Sequence, residues 1–167
     1  MRIVSALLPL AIAVAAVSGV AWFLLTRGWA AGPWLLALLL VAHGWVHLVF
    51  LFPQPQPAEV SSAGLAYPFD MDRSWLITRL GLEAGVVRSL GIILMVIVFA
   101  ASTLAALATV GFLVPAGWWP GLVIASAVAS MTMLTVFFAP ALLLGYAIDV
   151  ALLWLVLGSV WSPATPT

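Results

Sequence analysis

The chain has no cysteine, and its whole positive charge rests on five arginines set against five acidic residues. Without a thiol there is no disulfide, no thiolate metal site and no cysteine nucleophile, and the redox compartment leaves no mark on the sequence. Charged residues make up only 6% of the chain, against about 25% in soluble domains. No basic cluster is present that would serve nucleic acid, and no polybasic segment that would grip anionic lipid. What fills the chain instead is apolar: 66% hydrophobic residues and a mean hydropathy of +1.29. A spanning helix uses roughly 20 residues, so 167 residues hold five or six spans and leave no room for a separate globular domain. The expected class is all-α: a polytopic integral membrane bundle of about five transmembrane helices, with a short interfacial helix in its second loop and the lipid bilayer as its main partner.

Taken in order, residues 3–26 form the first apolar run. Arg2 and the alanine-rich triplets within it also suit a signal peptide, but the run continues through Trp22, Phe23, Leu24 and Leu25, past an ordinary signal core. It is therefore read as a span, kinked at Pro9. The segment 27–33 carries a charge, two glycines and a proline, which mark a turn, and the second span is 34–52. Pro53, Pro55 and Pro57 then give an extended, polyproline-like start to an extramembrane loop over 53–87, which holds four of the five acids and two of the five arginines. Within it Asp70 and Asp72 suit the cap of a helix starting near Arg73. Gly81 and Gly85 form a GxxxG pattern outside any apolar 20-mer, and flexibility is its plainer meaning. The remaining spans are placed at 89–114, 121–139 and 141–161.

With five spans, Arg2, Arg73, Arg79 and Arg88 fall on one side and Arg27 on the other. The arginine bias then puts the amino terminus and the 53–87 loop in the cytoplasm and the carboxyl terminus outside. Trp22, Trp29, Trp34, Trp118, Trp119 and Trp161 all fall at the outer ends, as an interfacial belt would.

The only two histidines, His43 and His47, stand one helical turn apart and so share a face. Counted inward from the cytoplasmic ends at about 1.5 Å per residue, His43 in the second span and Asp149 in the fifth reach nearly the same depth, as do His47 and Tyr146. Ser130 in the fourth span arrives at that level too, on a face shared with Ser126, Met133 and Phe137. An unpaired carboxylate in hydrocarbon is costly. The expected arrangement is therefore a buried polar layer of His43, His47, Ser130, Tyr146 and Asp149, with His43 against Asp149, Tyr146 near His47, and Gly44 and Gly145 permitting close helix approach.

That layer has a structural reading, in which it fixes helix packing in a non-enzymatic accessory or assembly component working with other membrane subunits. It also has two chemical ones. His43, His47 and Asp149 make a three-ligand set for zinc or non-haem iron, although no glutamate follows His43 as in the HExxH proteases. Alternatively a His and Asp pair in a dry bundle handles protons. Hydrolysis would need a nucleophile and an oxyanion site beside the base, which Ser130 alone does not establish, so no catalytic residue and no obligatory cofactor is assigned. The HGxxH pattern at 43–47, the proline-rich segment after it, the Trp118-Trp119 turn and the Gly145 to Asp149 stretch together resemble a group of small hypothetical bacterial multi-pass membrane proteins. The resemblance implies an inner-membrane location and brings no site residues with it.

Overall fold

The computed structural model describes residues 31–49, 74–139, 142–159 and 161–163, together with Gly19, Trp22, Phe23, Arg27, Leu51 and Met71. The expected first span and most of the 53–87 loop, including Asp70 and Asp72, lie outside the described residues. Among the described residues every regular element is helical: α1 (Ala31–Val49), α2 (Trp75–Thr78), α3 (Ala84–Thr109), a 3-10 turn (Ala116–Trp118), α4 (Trp119–Val136) and α5 (Leu143–Leu157). Ala31–Leu48, Ala84–Thr109 and Ala116–Val136 are long and apolar enough to cross a membrane, and α5 is a shorter apolar helix.

Each helix differs by a few residues from its expected bounds, for local reasons. Pro33 lies inside the first turn of α1, where the amide it lacks would have had no intrahelical partner, so the helix starts before it. Glu83 caps α3, its carboxylate accepting from Gly85 N at 3.0 Å and Val86 N at 3.3 Å, and the helix begins at Ala84 rather than at residue 89. It stops at Thr109 because Gly111 takes a φ of +69°. Gly111 N then donates to Ala108 O at 3.2 Å and Phe112 N to Leu107 O at 2.9 Å, the two bonds of a Schellman stop. The expected cap of the loop helix is also corrected. Ser74 is the cap residue, accepting from Leu76 N at 3.2 Å, and Gly81, at φ +69°, ends that turn instead of lending flexibility. Trp119 opens α4 with Pro120 in its first turn, the position a proline tolerates best.

The end of α4 shows how the loop is tied to the bundle. Pro140 has no amide hydrogen to offer the carbonyl four residues back, at Val136. Ser74 Oγ donates to that carbonyl at 2.7 Å, and Trp75 Nε1 to Thr135 O at 2.8 Å, so the last carbonyls of α4 find partners on another segment.

Close packing runs α1 on α3, α3 on α4 and α4 on α5. The facing sides are built of small residues: Ala101, Ser102, Ala105, Ala106 and Ala108 on α3, and Ser126, Ala127, Ala129 and Ser130 on α4, all buried. Two apolar clusters result, one of Leu36, Leu40, Ala105, Trp119, Val123, Leu152 and Leu155, the other of Val87, Met95, Met133, Leu134, Phe137 and Leu142. The polar residues sit between them.

Candidate functional site

On α1 the buried positions Leu36, Leu40, His43 and His47 recur every three or four residues, the spacing of one helix face. The stripe that packs into the apolar core thus continues directly into two imidazoles. On α5 the same rule lines up Leu142, Asp149, Leu152 and Leu155. On α4 it lines up Ser126, Ser130, Met133 and Phe137. The bundle brings these three faces together at one level, where His43 is 6% exposed, His47 3%, and Ser130 and Asp149 0%.

Ser130 is the junction. Its hydroxyl lies 2.6 Å from Asp149 Oδ2 and 3.0 Å from His47 Nε2. The other ring nitrogen of His47, Nδ1, donates to the backbone carbonyl of His43 at 2.8 Å, one turn back along α1. His43 Nε2 stands 2.9 Å from Asp149 Oδ1, but its N–H is not aimed along that line, and neither atom has a well-formed hydrogen bond. That contact is an electrostatic approach, weaker in direction than the bonds through Ser130. The two imidazoles meet edge to face with ring centroids 4.8 Å apart.

Tyr146, expected near His47, has its hydroxyl's partner on α4. Its hydroxyl pairs with Thr135 Oγ1 at 2.6 Å, at the exposed rim where α4 ends, because Tyr146 lies almost a full turn before Asp149 and Thr135 more than a turn beyond Ser130. No family model, no curated protein and no solved structure matches this chain. What the site does must therefore be argued from its own geometry.

As a metal centre the arrangement is poorly directed. Both nitrogens of His47 are engaged, one with a carbonyl and one with a hydroxyl, and among the described residues no group of three or more His, Cys, Asp or Glu is disposed around a common point. Ser102 was not anticipated. It lies in the second half of α3, fully buried, and shares a hydrogen bond with Ser126 at 2.6 Å, one turn along α4 from Ser130. The signal in the sequence is a buried-face serine in a long apolar helix, as for Ser130.

Proposed function

We propose that the chain is a multi-pass integral membrane protein of a bacterial inner membrane, acting as a non-enzymatic accessory or assembly component, with the buried cluster serving to hold α1, α4 and α5 in one arrangement. The observation that carries this reading is the mutual closure of the cluster. Ser130 and Asp149 are fully buried and bonded to each other, His47 joins them from α1, and His43 Nε2 faces Asp149 Oδ1 at 2.9 Å, so the four side chains turn toward one another across three helices.

Membrane insertion is supported by what lies on the outside. Trp34, Leu38, Trp45 and Val46 on α1 and Val86, Ile93 and Val96 on α3 are all more than half exposed, apolar surface that water would penalise and lipid would not. The small-residue seams between α1, α3 and α4 suit helix association in lipid, where backbone approach and interhelical hydrogen bonds replace the hydrophobic drive. The arginine distribution supports a cytoplasmic amino terminus and 53–87 loop, with other membrane subunits as partners along the exposed faces.

The test is the combined variant His43→Gln, His47→Gln, Asp149→Asn, expressed in a strain lacking the protein. It is expected to restore the strain as wild type does while losing no more than a few kcal/mol of stability in detergent, since interhelical hydrogen bonds in membranes average about 0.6 kcal/mol each. Loss of complementation with stability unchanged would overturn the assembly reading.

A further inference from the structure

The contacts of Ser130 fix the number of protons in the cluster. A serine hydroxyl brings one proton, yet it makes two short contacts, to Asp149 Oδ2 and to His47 Nε2. Each needs a proton between its heavy atoms, so one of the two partners must be a donor. His47 spends a proton on its other side, because the carbonyl of His43 can only accept. Three contacts in a row thus hold three protons, one more than a neutral imidazole, a hydroxyl and a carboxylate carry together. The extra proton is on Asp149, making a neutral acid beside a neutral imidazole, or on His47, making a carboxylate beside an imidazolium. Both arrangements are neutral overall, as a fully buried site requires. Placing the extra proton on His43 fails, since Ser130 would again have one proton for two contacts and lone pairs would face each other in the second.

We infer that Ser130 is a proton relay, passing one proton between the carboxyl of Asp149 on α5 and Nε2 of His47 on α1. In one direction the O–H bond on Asp149 Oδ2 breaks as one forms on Ser130 Oγ, while the original Ser130 O–H breaks as an N–H forms on His47 Nε2. Two bonds break and two form, no electron leaves the cluster, and no further reactant is needed. The heavy atoms keep their places, and His43 faces Asp149 Oδ1 in both states. This goes beyond the assembly reading, which asks only that the cluster hold the helices together.

The test uses the full chain in lipid bilayers with nitrogen-15 in its histidines. Because there are only two, His43→Gln assigns the His47 signals, and Asp149→Asn assigns the carbonyl band of the protonated Asp149 carboxyl in the infrared. The expected result is a His47 protonated at Nδ1 throughout, with an Nε2-protonated fraction that changes with temperature in step with, and opposite to, the Asp149 acid band. Ser130→Thr should keep that covariation and Ser130→Ala should abolish it. A neutral His47 protonated only at Nε2, a ratio that does not move with temperature, covariation that survives in Ser130→Ala, or a stoichiometric metal on the purified chain would each overturn the relay. The first two readouts need no variant of Ser130, so they decide the matter even if Ser130→Ala does not fold. Complementation by the triple variant is measured separately, so the relay can fail while the assembly reading stands.

Discussion

The Cβ that Gly44 lacks would stand 3.0 Å from the Cβ of Ser102 and 3.4 Å from the Cα of Phe99. The backbones of α1 and α3 therefore meet at the very turn that carries both histidines. Adding a methyl group here presses on the Cβ of Ser102, which is fixed to its own backbone and cannot step aside as a side-chain tip can, so Gly44→Ala is expected to cost about 1–3 kcal/mol, the range for overpacking. Gly145 is the internal comparison, because its missing Cβ would meet only the flexible end of Leu134, at 2.8 Å. Thermal unfolding in detergent should show the larger loss for Gly44→Ala; equal melting temperatures for the two variants would contradict the close approach.

Ser130→Ala removes the group that joins α1 to α5 through α4. It leaves His47 Nε2 and Asp149 Oδ2 facing a methyl group in a buried site, which costs about 1–3 kcal/mol for polar groups left unsatisfied. Ser102→Ala removes one hydroxyl from a pair of hydroxyls and should cost less, nearer the 0.6 kcal/mol or so of an average interhelical bond. Denaturant titration of the two variants gives the order directly, and a Ser102→Ala loss as large as that of Ser130→Ala would mean the cluster is not centred where its distances put it.

Ser74 serves two helices at once, capping α2 and satisfying the Val136 carbonyl at the end of α4. Ser74→Ala is therefore expected to lower stability by about 0.5–2 kcal/mol, as loss of a cap does. Amide hydrogen exchange should also quicken in the final turn of α4, at Phe137 in particular, whose amide bonds Met133 O at 3.0 Å. Exchange that quickens only in α2 would mean that the bond across to α4 contributes nothing.

A chain without cysteine is a clean background for a topology test. A single cysteine at position Ser61 is expected to be shielded from a membrane-impermeant thiol reagent in intact cells, and one at Thr165 to react. The opposite pattern would reverse the orientation drawn from the arginines.

Helix identity and the meeting of α1, α4 and α5 were readable because burial in an apolar chain leaves few polar residues to place, and each of them is expensive there. His43, Ser130 and Asp149 stand out for that reason alone, and matching depths along antiparallel helices follow from the rise per residue. Helix ends were not readable to the same degree. Glu83 and Ser74 cap helices at positions where an acid or a serine looks like ordinary loop composition, and Gly111 looks like any glycine in an apolar run until its positive φ is seen. The bond from Tyr146 to Thr135 was not legible either, because a threonine on an apolar helix gives no sign of which neighbour its hydroxyl meets. Ser102 was missed because a serine among alanines reads as one more small packing residue.

Among the described residues the close backbone pairings run from α1 to α3 to α4 to α5, and α1 and α5 are not among them; His43 and Asp149 reach across that side at 2.9 Å. Among the described helices, three contacts are thus welded by backbone approach and the fourth is fastened by side chains. Opening a welded joint means separating alanines and serines in close register, whereas opening the fourth means parting a few side chains whose interhelical bonds are each worth about as much as thermal energy. Of the four sides, the one between α1 and α5 parts at the least cost, and the bonds through Ser130 set how tightly it holds.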